Sequence, residues 1–494
     1  ISLLTVCQIT KLFMLKHIII VSTLAASPLM AVDNYLVGTG WGGASMNNTW
    51  STGMSPTESD DAFLDYKYYY ESKSPATSQS WWVDLWVPET HVNSTVNSLT
   101  IQNLYNPETL DPVKLQLVVV SSLTAGIKTI NDFNVVGGSY KPEIRFAVSK
   151  GTSDSAVQAK IAVGGNMNIG KSDYNSGDGV AFFLGGMESN MGPVSVNVKG
   201  NLNIYGASTL GTNIGKQTDN SGTTNQLDFV VSGVVNMVGD GGQDNPTWFL
   251  NTCSSGSSQA KTTIDVGGIS GIGLIRNNTG ALGGSSMLII RTAEGSTTTY
   301  SGILKDDITT AGNSNVSILM AGYGTQVLDG SVGISGFSEI KRGTLLSTGH
   351  FGSLYINKEG TFGATSKSSP IGTVSIGNMT FSDGGTVLID IDGANCDLIQ
   401  ASTLSLGTAT YLTIDFGLTN IVEGTKYKIF ECGKISDNFT VDNFKVKDID
   451  GYDSHISIDD NNVYISFTAV PEPALLASII GVLALAFAAR RKSK

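Results

Sequence analysis

A valine and glycine pattern that recurs along the middle of the chain constrains its fold more than any other feature. Four segments share the form V-x-G-x-x-x-apolar, and they begin at Val163, Val198, Val231 and Val266. Successive copies are 35, 33 and 35 residues apart. A unit of this length cannot bury an apolar face alone, so neighbouring copies must stack to form a core.

Looser copies extend the series back to Ile130 and Val96 and forward to Tyr300 and Ile334, at spacings of 33 or 34 residues. Between the copies lie short apolar runs bounded by Gly, Asn and Ser, such as KLQLVVV, AFFL and MLII. Runs of this kind indicate strands rather than helices. The pattern predicts an all-β protein whose body, residues 96–410, is a right-handed parallel β-helix (solenoid) of about 34-residue coils.

Asparagines stand at matching positions in two of the copies, Asn166 and Asn201. They are open to two interpretations. Stacked amides can form a hydrogen-bonded ladder between coils, and asparagine is also a common turn residue with no such role.

A solenoid needs its two ends covered, because open strand edges promote aggregation. Residues 32–95 hold five of the six tryptophans and are predicted to form an aromatic-rich N-terminal cap. Residues 411–468 contain the alternating segments YLTIDFG, YKIFECG and NVYISF, and they predict a small C-terminal β cap.

Alternation within WWVDLWV places Trp82, Asp84 and Trp86 on one face of a strand and apolar residues on the other. Two rings beside a carboxylate are unusual for a core, and aromatic faces stack well on sugar rings. Trp82 and Trp86 are therefore candidate sugar-binding residues. The alternative is that they plug the first coil, where large aromatic side chains bury the most area.

The N-terminal segment has the layout of a secretory signal peptide over residues 1–31, with the true start at Met14. A short basic start at Lys16 is followed by an apolar run from Ile18 to Ala26 and a small residue, Ala31, at the expected cleavage site. This layout predicts an exported protein.

The C-terminal segment, residues 469–494, has the features of a second targeting signal. Sixteen uncharged residues, 474–489, form an apolar run that as a helix is about 24 Å long, and Arg490, Arg491 and Lys492 follow it. Snorkelling of these basic side chains would allow a short transmembrane helix, with the body on the exported side.

Val470, Pro471, Glu472 and Pro473 stand directly before this run. The Pro-Glu-Pro motif, the apolar run and the basic end together resemble the PEP-CTERM sorting signal of Gram-negative bacteria. The resemblance implies processing near the motif by an exosortase, a membrane-embedded cysteine peptidase, after transient anchoring in the inner membrane. It also implies a final place at the outer surface or in the exopolysaccharide. An ordinary C-terminal anchor would explain the run and the basic end but not the motif.

Residues 299–349 resemble the autotransporter-associated β-strand repeat, through TYSGILKD, SILMAGYGTQVLDGSVGIS and EIKRGTLLSTG. No C-terminal membrane β-barrel pattern follows these residues, which departs from the usual autotransporter arrangement.

Charge excludes one class of partner. The chain has 30 basic and 42 acidic residues, a net charge of −12, so no nucleic-acid partner is expected.

Few residues point to catalysis. The histidines beyond the leader, His91, His350 and His455, lie far apart and match no ligand or nucleophile motif. The G-x-G-x-x-G string at 38–43 precedes a loop-forming segment, so its glycines are interpreted as turn residues. No catalytic residue, metal or cofactor is expected.

Three further groups leave alternatives open. Asp390 and Asp392 share a strand face and could serve a β-helix polysaccharide lyase or glycosidase, although a solvated surface is favoured. The loop with Asp173, Asn175 and Asp178 resembles a calcium site whose glycine falls one place late. Cys396 and Cys432 are about one repeat apart, so they could stack and form a disulfide, or they could remain free thiols.

These observations favour a non-enzymatic, exported structural or adhesive protein that associates with the cell surface or its exopolysaccharide. The alternative is a carbohydrate-active β-helix enzyme that uses the same export route.

Overall fold

The computed structural model describes a defined part of the chain: residues 33–35, 57–65, 83–87, 93–102, 114–120, 125–139, 141–149, 159–184, 194–212, 228–242, 245–250, 261–277, 285–309, 312–365, 370–382, 384–437, 439–470 and 473–492. The predicted signal peptide, residues 1–31, lies outside these ranges, and so does most of the predicted N-terminal cap.

Short strands separated by turns make up the first half of the described chain. They are β1 Asp33–Tyr35, β2 Asp61–Asp65, β3 Val83–Val87, β4 Asn93–Val96, β5 Ser98–Gln102, β6 Lys114–Val120, β7 Ala125–Thr129, β8 Phe133–Val135, β9 Glu143–Ser149, β10 Ala159–Val163, β11 Met167–Ile169, β12 Ala181–Leu184, β13 Val194–Val198, β14 Leu202–Tyr205, β15 Thr209–Thr212, β16 Asp228–Val238, β17 Thr247–Phe249, β18 Lys261–Gly271, β19 Leu274–Arg276 and β20 Ser285–Ile290.

Longer strands predominate from the middle of the second half onward. The elements are β21 Thr297–Tyr300, β22 Ile303–Lys305, β23 Asp307–Thr309, β24 Gly312–Ser314, β25 Val316–Met320, β26 Thr325–Leu328, β27 Ser331–Ser347, β28 His350–Gly363, β29 Thr373–Phe381, β30 Thr386–Gly393, β31 Asn395–Cys396, β32 Leu398–Ser405, β33 Leu412–Ile421, β34 Tyr427–Ile435, a 3₁₀ turn Val441–Asn443, β35 Phe444–Val446, β36 Tyr452–Asp459, β37 Asn462–Ala469 and the helix α1 Pro473–Lys492.

From β5 to β13, each strand pairs in parallel with the third strand before it and the third strand after it. β10 lies between β7 and β13, β11 between β8 and β14, and β12 between β9 and β15. The chain therefore completes one coil, a unit of three strands, before the next coil stacks on it. The predicted all-β class is confirmed, and 35 of the described strands belong to one hydrogen-bonded sheet.

The repeat valines form a buried column that runs through successive coils. Val163 pairs with Val198, Val198 with Val231, and Val231 with Val266. Each of the four is at most 2% exposed. The stacking predicted from the four V-x-G copies is confirmed.

The looser copies fit this column less well. Val96 lies in the valine column, where it pairs with buried Thr129, and Thr129 in turn pairs with Val163. Ile130, the predicted member, is 44% exposed. The prediction for Ile130 is wrong by one residue, because alternation along a strand sends neighbouring side chains to opposite faces.

Beyond Val266 the coils shorten, so the predicted constant period of about 34 residues is wrong there. The column continues through Ile290, Met320, Ile340 and Ile356, at spacings of 24, 30, 20 and 16 residues. Tyr300 and Ile334 lie outside the column: Tyr300 pairs with Gly271 and Leu328, and Ile334 pairs with Phe351. β27 also joins strands that are separate in earlier coils, which removes intervening turns.

The glycine of the V-x-G pattern sits where the coils turn and their backbones approach closely. The Gly200 N–H donates to the Gly165 carbonyl oxygen at 2.8 Å, and the Gly233 N–H donates to that of Gly200 at 3.0 Å. A Cβ atom on Gly200 would lie 2.6 Å from both Gly165 O and Asn166 Oδ1. The repeat therefore requires glycine for close contact between coils.

The asparagines next to these glycines link one coil to the next. Asn166 Oδ1 accepts from the Asn201 N–H at 2.8 Å, and Asn201 Oδ1 accepts from the Val234 N–H at 2.9 Å. These bonds form a ladder of side-chain oxygens and backbone N–H groups, so the predicted ladder of stacked amides is wrong for Asn166 and Asn201.

A second ladder runs along the outer face of the middle strands, where the sequence analysis had not placed one. The Nδ2 groups of Asn168, Asn203 and Asn236 each donate at 2.7 Å to the amide oxygen of the preceding coil, which for Asn168 belongs to Asn134. Each of these asparagines lies between two core residues, so alternation turns its side chain outward.

Antiparallel pairing ends the parallel stack. β34 pairs in parallel with β32 on one edge and antiparallel with β37 on the other, and β36 and β37 form a hairpin. Phe467 of β37 contacts the rings of Phe416 and Tyr427, with ring centroids 5.7 and 6.0 Å apart. The hairpin thus lies within the predicted cap, whose boundaries at 411 and 468 stay a prediction.

The predicted C-terminal helix is present as α1, but its predicted membrane span is not supported. Within the described part of the chain, no helix is long and apolar enough to cross a membrane. The apolar run at 474–489 is 16 residues, about 24 Å of helix against a hydrocarbon core of about 30 Å.

We predict that Gly200→Ala destabilises the body by about 1–3 kcal/mol, because the new methyl group meets rigid backbone of the adjacent coil. Gly333→Ala is the matched control: a Cβ there has no other atom within 4 Å, so we expect a change within about 0.5 kcal/mol. Chemical denaturation of both variants measures the difference. Equal stability for the two variants would contradict the close packing of the turns.

Candidate functional site

The residues of the predicted sorting motif lie at the two ends of α1. Val470 follows the last strand and is 45% exposed, Pro473 is the first residue of the helix, and exposed Arg490 and Arg491 lie in its last turn with Lys492. Pro471 and Glu472 lie outside the described residues.

Apolar side chains cover α1 on every side and face solvent. Exposure ranges from 49% to 72% for Ile479, Ile480, Val482, Leu483, Leu485 and Phe487. Residues at these spacings occupy all faces of a helix, and a helix that is apolar all round normally lies in an apolar environment.

The candidate sugar-binding tryptophans are only partly within the described chain. Trp86 belongs to β3 and pairs with Val118 of β6, whereas Trp82 lies outside the described residues. Their role in sugar binding stays a prediction.

The two aspartates of VLIDIDG differ in exposure, so the predicted solvated surface is wrong for Asp390. Ile389 and Ile391 are both 0% exposed, so alternation along β30 is kept and the aspartates lie on the same face, opposite the core residues. Asp390 is nevertheless only 6% exposed, and its carboxylate accepts from the Thr365 hydroxyl and the Leu418 N–H. Asp392 remains exposed and accepts a hydrogen bond from Asn420 Nδ2 at 2.8 Å.

Asp390 instead meets a second buried acid, Asp397, which sequence reasoning missed. The Thr365 hydroxyl donates to Asp390 Oδ2 and, at 3.0 Å, to Asp397 Oδ2. Asp397 Oδ1 accepts from the Gly372 N–H at 2.8 Å, and its Oδ2 accepts from the Asp390 N–H at 3.0 Å. The only sign of this pair in the sequence is that Asp397 stands directly before the apolar residues Leu398 and Ile399.

Burial, with a smaller contribution from the neighbouring Asp390 carboxylate, raises the pKa of Asp397 to about 6 against the opposing effect of three hydrogen bonds. A carboxyl group with this pKa can hold a proton near neutral pH. Asp397 is nevertheless 0% exposed, and its oxygens are occupied by backbone and hydroxyl donors. The pair therefore satisfies buried N–H groups and presents no carboxylate to an outer groove.

The two cysteines remain free thiols in the structure. Cys432 stacks on Ala401 rather than on Cys396, which pairs with Ile391 in the short turn of β31. Burial raises the pKa of each thiol to about 12, so both stay protonated and unreactive at neutral pH.

The predicted calcium loop uses its acids for other contacts. Lys171 Nζ lies 2.9 Å from Asp173 Oδ2, and Asp178 Oδ2 accepts from the Asn175 N–H at 3.0 Å. Over the ranges that the structure describes, no group of three or more His, Cys, Asp or Glu side chains is arranged to hold a metal ion.

Comparison of the chain with family models, with curated proteins and with solved structures finds no match.

We predict that Asp397 makes the body less stable as pH rises. The pKa of the folded state is above the ordinary value of 3.8, so the folded state binds the proton more tightly than the unfolded state. The stabilisation is complete below about pH 4 and is lost as pH rises through about 6, a difference of about 3 kcal/mol. Denaturation between pH 4 and 7 should show this slope in the wild type and not in Asp397→Asn.

Asp392→Asn, at an exposed position two residues beyond Asp390, is the control and should keep the wild-type slope. If Asp397→Asn and wild type show parallel pH profiles, the proton is not held at Asp397.

Proposed function

We propose that this chain is an exported, non-enzymatic protein with a right-handed parallel β-helix body that serves a structural or adhesive role. In this proposal a signal peptide at residues 1–31 directs export, and the segment 469–494 acts as a PEP-CTERM-type sorting signal. The mature body then resides at the outer surface or in the exopolysaccharide of a Gram-negative-type bacterium.

The stacked coils support a structural role. Parallel strands stack from β4 through β34, and their core is a continuous column of aliphatic and aromatic side chains. Parallel crossover connections are right-handed in nearly all proteins, which is the basis for the proposed hand. A rod of this kind presents long, regular outer faces suited to contact with extended partners.

The observation that carries the sorting proposal is the position and chemistry of α1. The helix starts at Pro473 of the Pro-Glu-Pro motif, directly after the last strand of the body, and ends in Arg490 and Arg491. Its apolar side chains are exposed on every face, as a helix requires when its partner is apolar. We assign the inner membrane and an exosortase-type peptidase as its transient partners.

We predict that the mature protein in its host lacks residues 474–494. Arg490→Ala with Arg491→Ala should reduce processing, because the two arginines form the basic end of the proposed sorting signal. Mass spectrometry of surface material, compared with the inner-membrane fraction, measures both effects. Lys341→Ala with Lys358→Ala removes the same charge from exposed strand positions and should leave processing unchanged. Recovery of intact Lys494 from surface material would refute the sorting proposal.

We also predict that Trp82→Ala with Trp86→Ala abolishes retention on exopolysaccharide while the melting temperature stays nearly unchanged. The reason is that the alternation of WWVDLWV places both rings on the face opposite the apolar residues. Affinity electrophoresis and thermal denaturation test the two parts. A large loss of stability would instead show that both rings belong to the N-terminal cap.

A further inference from the structure

Two aromatic rings lie side by side on the outer face of the second half of the body. Phe337 on β27 is 54% exposed, and it follows directly on a register irregularity in the pairing of β27 with β28. Its ring centroid is 6.2 Å from that of half-buried Tyr355 on β28, with the planes tilted by 39°. A large apolar side chain exposed on a sheet commonly marks an interaction site.

Polar groups continue this face along the stacking direction. The residues in register beyond Phe337 are Ser353, Asn378 and Thr403, and those beyond Tyr355 are Thr380 and Ser405. Thr380 and Ser405 each stand between two core residues, whereas Ser353, Asn378 and Thr403 each precede one, so alternation turns these side chains outward, and none of the five is buried. The ring pair thus opens onto two parallel rows of hydroxyl and amide groups, which we call the polar rows.

One carboxylate borders the rings and is already oriented. Glu339 lies two residues after Phe337 on the same face, and its Oε1 accepts from Asn357 Nδ2 at 2.5 Å. Farther along, the hydroxyls of Thr380 and Ser405 are 2.9 Å apart and hydrogen-bonded. The groups around the rings are therefore held in place before any ligand arrives.

The chemistry of this face selects among classes of partner. Nucleic acid and anionic lipid require clustered Lys and Arg, whereas the side chains in register with the rings are hydroxyls, amides and one carboxylate. A sugar ring combines an apolar C–H face, which stacks on an aromatic ring, with hydroxyl groups that bond to Ser, Thr and Asn. The strand spacing of about 4.8 Å repeats these groups at nearly the interval of sugars in an extended β-linked chain.

The geometry points to a binding site for a neutral, β-linked polysaccharide, with Phe337 and Tyr355 as the stacking platform and the polar rows as hydrogen-bonding groups. The chain of sugars would lie across β27, β28, β29 and β32. This inference deepens the proposed function, on which it rests, by naming the surface and the class of polysaccharide.

Affinity electrophoresis of the full chain in gels that contain hydroxyethyl cellulose or arabinoxylan tests the site. We expect the wild type to be retarded and Phe337→Ala to bind about tenfold more weakly, as loss of a central aromatic contact usually gives. Phe337→Tyr keeps a stacking ring and should bind like the wild type. Ile303→Ala changes an apolar residue of similar exposure, 42%, on β22 and should have no effect.

The outcomes separate this site from the proposed function. Equal retardation of wild type and Phe337→Ala would overturn the site, and so would wild-type protein that neither polysaccharide retards. If Phe337→Ala binds like the wild type while Trp82→Ala with Trp86→Ala loses retention, this site is wrong and polysaccharide association stands; loss in both variants means that both surfaces contribute. The sorting proposal is tested independently, by the mass of the mature protein.

Discussion

The close stacking of one coil on the next is the constraint on which the rest of the structure depends. Parallel strands lie about 4.8 Å apart, and where the coils turn, the Gly200 N–H bonds directly to the Gly165 carbonyl oxygen at 2.8 Å. No side chain fits between backbones at that separation. Glycine therefore recurs at the turns, and Asn166 and Asn201 use their side-chain oxygens to bind the N–H groups that the turn leaves free.

This stacking separates apolar side chains, which face the interior, from polar side chains, which face outward. Alternation sends Val163 and its counterparts into a column that excludes water, and it sends Asn168 and its counterparts outward in equally regular rows. Polar groups that enter the interior must be fully bonded to remain there. Asp397 meets this condition through Gly372, Asp390 and Thr365, and the cost of its burial appears as a raised pKa. Ligand chemistry is consequently expected on the outer rows.

The part of the fold that follows from strict repetition could be predicted from the sequence. Val163, Val198, Val231 and Val266 stack as their spacing indicates, because identical units must place identical residues in register. Prediction failed where repetition ended: Tyr300 and Ile334 keep the spacing but sit in other columns, since the later coils lose turns. The burial of Asp390 depends on contacts with Thr365 and Leu418, which are distant in the chain, and Phe337 meets Tyr355 only through the shortened coil between them. Local sequence carries no signal for either feature.

The end of the stack is closed by strands of the body itself, before α1 begins. A parallel stack leaves an open edge, and here β37 pairs antiparallel with β34 while Phe467 packs among Phe416 and Tyr427. The edge is thus covered by the body's own hairpin, which is complete at Ala469. The Val470 N–H still bonds to the Gly451 carbonyl oxygen at 2.9 Å, which fixes the exit of the chain. Because α1 begins after that point, its removal leaves every strand of the body in place. The removal of the tail that we propose is therefore compatible with an intact stack, because α1 takes no part in closing it.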